Sequence, residues 1–405
     1  DAVVIGSGAL GLSAAYHLAQ LGLRDVVVLD RVGIASQTSA RAAGLFKVLQ
    51  TDELRVRLAA LSIAKVTSFE EATGVPLPIQ RSGSIMLAHM PAYAALVRAK
   101  AARAQSLGVE VEIIDGSEAH RLAPYLDAET IRAACHSPGD FYIEEPGTLL
   151  QALIQAGTRL GVSYHGHTPV TGLRVDAGEV TGVATTQGEI ATPVVVDAAG
   201  AWARAVGALA LADVSVAPVR HQLAITEEIS GVAPSFPILR IIDEAVYVRP
   251  ARGGLMYGGF EQDPLALYPH ARDGFSIEDT PLDTAVLRRF AASVAAQVPG
   301  VDQAPLQEYR GGLFTMSPDG QFLVGPLPEA RGLWCLTGCN GSGFSLSPAL
   351  GQLLAEWITA GAPSIDIGSF HPGRFGGKWT DETRLRDVGI WQYTHYYDLD
   401  AQHSQ

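Results

Sequence analysis

The chain has 405 residues, of which 47% are hydrophobic and 18% charged, with 43 glycines; that balance describes a globular protein with room for two domains and a shielded cofactor. A formal net charge of -13 leaves it without the clustered Lys and Arg that a phosphate backbone demands, which argues against nucleic acid as a partner. No apolar run reaches the roughly 18 to 20 residues of a membrane span, the first residues open directly on a strand pattern, and Cys135, Cys335 and Cys339 form no CxxC pair; the expectation is a cytoplasmic protein with buried thiols, no disulfide framework and no metal.

The first element is the segment AVVIGSGALGLSAAYHLAQLG, an apolar strand, a GxGxxG turn at Gly6, Gly8 and Gly11, and a helix whose Leu10, Ala14, Leu18 and Leu21 fall at helical spacing. Gly22 stands where a left-handed C-cap belongs. A second strand, DVVVLD, ends in Asp30, 19 residues beyond Gly11. In such a unit the first glycine allows the tight turn, the second lets backbone approach a pyrophosphate, and the third lets the helix pack closely on the sheet. The acid at the end of the second strand accepts hydrogen bonds from a ribose. Strand, turn, helix, strand and acid in register predict an ADP-containing dinucleotide, contacted by Gly6, Ser7, Gly8, Ala9, Leu10, Gly11, Asp30 and Arg31. The competing reading is a glycine turn in a plain doubly wound sheet.

Farther along, PVVVDAAGAWA is a buried strand running into the small residues Ala198, Ala199 and Gly200, which permit a ligand to approach its end. Near the C-terminus, QFLVGPLPEARGLWCLTGCNGSGFSLSPALGQLLAEWITAG gives two apolar strands, a glycine-rich turn and a helix. Ser347 and Pro348 read as its N-cap and first turn, Leu350, Leu354, Trp357 and Ile358 as its core stripe, and Gly361 as its end. No second GxGxxG in strand-turn-helix context marks a separate nicotinamide domain, so the electrons are expected from a substrate.

This order of parts resembles the FAD-dependent D-amino-acid, glycine and sarcosine oxidase superfamily over nearly the whole chain. Within it, SARAAGL, PVRHQLAITEE, FPILRIIDEAVYVRP and MYGGFEQDP are most similar to the flavin domains of dimethylglycine and sarcosine oxidases and dehydrogenases. The resemblance implies an α/β (overall α+β) architecture: a Rossmann-like FAD-binding domain assembled from separated segments and a substrate domain with a large mixed β-sheet. The flavin pieces are expected at 1–76, 141–215 and 313–370, the substrate pieces at 77–140 and 216–312, and 371–405 as a C-terminal tail that folds over a neighbour or lies on the surface. The folate-binding domain that follows the flavin domain in several of these enzymes is not among the 405 residues.

The implied activity is oxidation of a secondary or tertiary amine or N-methyl amino acid, with oxygen or another acceptor taking the electrons and the imine product hydrolysed by water. His221 in VRHQ and Tyr247 in AVYVRP match the histidine and tyrosine of the family's substrate pocket, and Tyr257, on a following strand, is a third candidate. Without the resemblance each would read as an ordinary strand residue. Arg249 and Arg252 offer forks for a carboxylate, against the alternative of ion pairs. Where monomeric sarcosine oxidases carry a carboxylate-gripping lysine, this chain has Ser345. Where they attach FAD through cysteine, it has Gly312, and where the dehydrogenase branch attaches it through histidine, it has Arg41. The loop with Thr38, Ser39, Arg41, Ala42, Ala43, Gly44 and Leu45 is expected along the pyrophosphate and under the flavin ring, together with Val170, Ala199, Gly200, Trp202, Asn340, Gly341, Ser342, Gly343 and Phe344. FAD is therefore expected to be non-covalent. Two rival functions share much of this pattern: an aromatic hydroxylase using NADPH, whose GDAAH signature is missing, and a non-catalytic flavin subunit of a larger complex. A homo-oligomer or complex subunit is open on the sequence.

Overall fold

The computed structural model describes residues 1–271 and 274–397. A six-stranded sheet carries the nucleotide-binding unit, in the order Leu323–Pro326, Leu333–Thr337, Val195–Asp197, Ala2–Ile5, Val26–Leu29, Ser163–His165. All neighbours pair in parallel except the first two. Because Ile5, Leu29, Asp197 and Cys335 lie in one cross-strand row, the loops that leave these strands gather at one edge. Parallel strands buried on both faces need helices on both sides, and their carboxyl ends form the crevice where ligands bind. Helices Ala9–Gln20 and Gly343–Ala360 pack together on one face, joined by Ala14, Leu18, Leu350 and Leu354 in one apolar cluster. Leu21, expected in that stripe, is largely exposed as the helix C-cap.

An eight-stranded mixed sheet forms the second body, in the order Leu306–Met316, Ala217–Thr226, Gly254–Gly259, Val246–Ala251, Ile238–Ile241, Ser84–Ala88, Ala133–Ser137, Glu112–Ile114. Strand Leu306–Met316 pairs with Ala217–Thr226 along ten residues, so the expected boundary at 313 cuts through a continuous strand. Helices Pro91–Ser106 and Thr284–Ser293 cover parts of this sheet.

One further expectation needs correction. Helix Gly343–Ala360 begins four residues before Ser347, and Pro348 lies inside it. Proline cannot supply the amide hydrogen bond to the carbonyl four residues back. The Ser347 hydroxyl donates to that Phe344 carbonyl instead, at 2.9 Å. Of the two alternatives for the C-terminal stretch, it packs on its neighbours as far as residue 397: helix Glu382–Thr394 lies against strands Ala217–Thr226 and Leu306–Met316 and buries Leu385 and Tyr393. The rest of the expected tail, 398–405, lies outside the described residues. Among the described residues no helix is long and apolar enough to cross a membrane, and no cluster of three or more His, Cys, Asp or Glu could hold a metal.

Candidate active site

The glycine loop shows why its residue types matter. Gly6 has φ +105°, and a Cβ there would collide with the Ala198 carbonyl. A Cβ on Gly11 would collide with the Gly6 carbonyl oxygen, so this glycine seats helix Ala9–Gln20 on the turn. Gly8 meets only the Ser39 hydroxyl, at 3.2 Å from a built Cβ, and otherwise faces open space. The Gly6 and Gly11 contacts are those that a tight turn and close helix packing require. Gly8 offers no side-chain cap, and the Ala9 amide at the helix start donates to the Ser39 hydroxyl at 3.0 Å; the positive end of the helix points toward the crevice. Asp30 accepts from the Ser7 amide (3.0 Å), the Ser7 hydroxyl (2.5 Å) and the Val32 amide (3.0 Å). A carboxylate has about four acceptor positions, so one is left for a ligand hydroxyl.

A single continuous cavity of about 510 Å³ runs from this loop to the eight-stranded sheet. Its nucleotide end is lined by Gly6, Ser7, Gly8, Ala9, Leu10, Asp30 and Arg31, with Val170, Ala199, Gly200 and Trp202 opposite. Thr38, Ser39, Arg41, Ala42, Ala43, Gly44 and Leu45 line its middle, as do Gly341, Gly343 and Phe344. The Trp202 indole N–H is buried with no hydrogen-bond partner among the described residues. An open glycine cradle, a spare acceptor on Asp30 and an orphaned donor on Trp202 fit a bound dinucleotide.

Arg41 turns away from a tethering role. Its guanidinium donates to the Ser36 and Gln37 carbonyls at 2.6 and 3.3 Å and pairs with Glu278 at 2.9 Å, pinning its own loop to the neighbouring body. Gly312 is needed for the same approach, because a Cβ there would lie 2.7 Å from the Thr38 side chain.

His221 and Tyr247 meet at the other end of the cavity. Their strands are separated by Gly254–Gly259, and Gly258 pairs with Leu223 on one side and Tyr247 on the other. A Cβ on Gly258 would collide with the Tyr247 hydroxyl; the missing side chain lets the phenol lie across the strand and reach His221 Nε2 at 3.0 Å. The imidazole stacks on Phe314, centroids 4.2 Å apart. Burial, helped by the Lys47 charge, depresses its pKa to about 3, so the ring is neutral at pH 7. Burial pushes the Tyr247 phenol above its usual range.

Tyr257 is a correction. It pairs with Val248 and Ala224, one position out of step with Tyr247 and His221, and successive strand residues face opposite sides. Its ring is buried in the cluster beneath helix Thr284–Ser293. Asn340 and Ser342 also stay out of the cavity lining. Asn340 has φ +41° and brackets the Ser317–Gln321 turn through hydrogen bonds to the Ser317 amide and the Gln321 carbonyl. Ser342 hydrogen-bonds the Tyr396 hydroxyl at 3.3 Å. Gly11 acts by packing. Ser345 does line the cavity, its hydroxyl turned back to the Ser342 carbonyl at 3.2 Å. Arg249 is fully buried and donates to the Ala43 and Glu144 carbonyls, and Arg252 pairs with Glu145 and Glu308, so both arginines are committed within the chain.

Sequence reasoning missed Lys47, Phe260, Arg310, Tyr396 and Tyr397, all of which line the catalytic end, and Tyr393, which backs His221. Lys47 is half-buried, and its ammonium makes no hydrogen bond or ion pair with another described residue. Burial and the charges of Arg240 and Lys100 hold its pKa well below the usual lysine range. The tyrosine spacing 393, 396, 397, a helical i, i+3, i+4 stripe, was the available signal.

Residues 1–357 match the family model described as DAO, FAD dependent oxidoreductase. The chain belongs to that family. Two relatives are 31% identical: human mitochondrial sarcosine dehydrogenase, aligned over 100% of this chain, and rat mitochondrial dimethylglycine dehydrogenase, over 94%. In both, the match covers 45% of the relative, so this chain spans a little under half their length. The fold is shared with the crystal structure of L-proline dehydrogenase from P. horikoshii, with a TM-score of 0.83 at 24% identity, covering 93% of this chain and 97% of that one. Membership in this family makes FAD the dinucleotide for which the cavity is shaped.

Proposed function

We propose that the chain is the flavin-bearing part of an oxidoreductase that oxidises a secondary or tertiary amine, of the sarcosine or dimethylglycine type. The observation that carries this reading is one cavity joining the glycine cradle to the His221–Tyr247 pair, with the Lys47 ammonium beside them. Bound FAD would supply the acceptor for a hydride equivalent lost from the carbon next to nitrogen.

The chain's own residues do the rest. The loop Gly6–Leu10 and the helix behind it hold the pyrophosphate, Asp30 a ribose hydroxyl, and the 38–45 loop the ring system. FAD is held without a covalent bond, since neither Arg41 nor Gly312 can form the link found in relatives. At the far end, Lys47 provides a cation for a substrate carboxylate, the part played by lysine at the Ser345 position in monomeric sarcosine oxidases. Tyr247 and His221 form a neutral polar contact for the amine. A neutral imidazole adds no charge against the amine, whose lone pair must be free to form the imine as hydride leaves. Phe260, Phe314 and Tyr396 keep water from the reacting atoms.

Anaerobic addition of sarcosine, dimethylglycine or NADPH to the yellow protein tests this. Bleaching by an N-methyl amino acid and not by NADPH is expected; bleaching by NADPH alone supports a hydroxylase, and no bleaching supports a non-catalytic subunit. Readmission of air then separates an oxidase from a dehydrogenase, which recovers its colour slowly. A cytoplasmic location is a separate proposal, decided by cell fractionation.

A further inference from the structure

Helix Glu382–Thr394 reaches the sheet because Gly389 lets it: a Cβ there would lie 2.6 Å from that of Ala217. One turn later the fully buried Tyr393 brings its hydroxyl to 2.9 Å from His221 Nδ1 and 3.4 Å from the Gly259 carbonyl oxygen. On the far side of the ring, Nε2 is 3.0 Å from the Tyr247 hydroxyl. Gly259 and His221 are thus linked by one phenol, and His221 and the cavity by another.

A neutral imidazole has one N–H and one bare nitrogen. The Gly259 oxygen only accepts, so the Tyr393 proton is directed to it and the Tyr393 oxygen accepts from the ring. Nδ1 then carries the hydrogen, and Nε2 is left to accept from the Tyr247 hydroxyl. The opposite assignment would point the Tyr393 proton at Nδ1, take that donor from Gly259, and set an Nε2–H against the Tyr247 oxygen.

We propose that Tyr393 is a positioning residue: it holds His221 as the Nδ1–H tautomer, so that Tyr247 donates to Nε2 and turns its oxygen lone pairs, not its proton, toward the cavity. The catalytic end therefore offers an acceptor to the N–H of a secondary amine. Only that last consequence rests on the amine reading; the tautomer stands apart from it. Burial, with the Lys47 charge, keeps the ring neutral at pH 7; Tyr247, Phe260, Phe314 and Tyr393 pack around it, and among the described residues its hydrogen bonds go to two phenols, not to a carboxylate.

Long-range proton–nitrogen NMR of the 15N-histidine-labelled protein without substrate reads the tautomer directly, with the His221 signals assigned by their loss in His221→Asn. The expected result at pH 7 is a protonated Nδ1 and a bare Nε2, favoured about tenfold, the scale of one net hydrogen bond. In Tyr393→Phe, Tyr247 is the remaining partner and the Nε2–H form becomes the majority. A wild-type spectrum dominated by Nε2–H overturns the proposal, and so does a folded Tyr393→Phe protein that keeps Nδ1–H. Should that variant not fold, the wild-type spectrum decides alone. If the amine reading fails, neither sarcosine nor dimethylglycine bleaches the flavin, while the tautomer result is unaffected.

Discussion

Replacing Lys47 by methionine removes an ammonium that is unpaired among the described residues while keeping most of the side-chain volume. The nearby carboxylate, Asp140, is occupied by the Ser84 hydroxyl at 2.5 Å and the Val48 amide at 2.9 Å, while Arg240 and Lys100 add like charge. Burial and like charge hold the Lys47 pKa well below the usual range, and an arriving carboxylate raises it. Binding is then linked to proton uptake, so affinity falls as pH rises between the free and the occupied pKa. One charge-assisted hydrogen bond contributes about 1.5–3 kcal/mol, or roughly 10- to 160-fold in Kd. Calorimetry with acetate in buffers of different ionisation enthalpy measures both quantities. Lys47→Met is expected to lose affinity by that factor and to abolish the uptake. Lys47→Arg keeps a permanent charge, and should retain affinity without uptake. Acetate binding in Lys47→Met within about threefold of wild type, with unchanged proton uptake, would refute the assignment.

Gly258→Ala places a methyl group where the Tyr247 hydroxyl lies, and should slow flavin reduction by about 100-fold through misplacement of the pair while FAD affinity, measured by fluorescence, hardly changes. Acid precipitation is expected to release all the yellow colour into the supernatant; colour in the pellet would contradict a non-covalent cofactor. Asp197 is fully buried, its Oδ2 lacks a partner among the described residues, and burial raises its pKa to about 8. The native carboxyl therefore keeps its proton where the unfolded one, near 3.8, has lost it, and rising pH favours unfolding through this group. Asp197→Asn should gain on wild type by about 1.4 kcal/mol per pH unit between about 4 and 8, measured by urea unfolding at several pH values; a constant difference would show that Asp197 is ionised in the fold.

The nucleotide end was legible because its determinants are local. Gly6, Gly8, Gly11 and Asp30 lie within one strand–turn–helix–strand unit, where periodicity and glycine placement have direct steric meaning. The catalytic end is assembled from separated segments, and there local pattern fails. Tyr247 and Tyr257 look alike in sequence, and only the pairing register sends one to the cavity and the other to the core. Lys47 follows a loop that read as small and polar, and nothing local tells that its ammonium finds no partner. Helix Glu382–Thr394 is polar enough to pass for a tail, because one narrow stripe holds its contacts. The start of helix Gly343–Ala360 was misplaced since Pro348 is a strong N-terminal signal, here overridden by the Ser347 hydroxyl.

His221 and Tyr393 are 172 positions apart. Bringing residues so distant together carries a loop-closure cost that slows folding. Until helix Glu382–Thr394 docks, the imidazole has no partner on Nδ1 and no roof against water. The site's hydrogen bonding is thereby tied to that docking: with the helix away His221 is a solvated histidine, and with it in place the ring is buried and oriented.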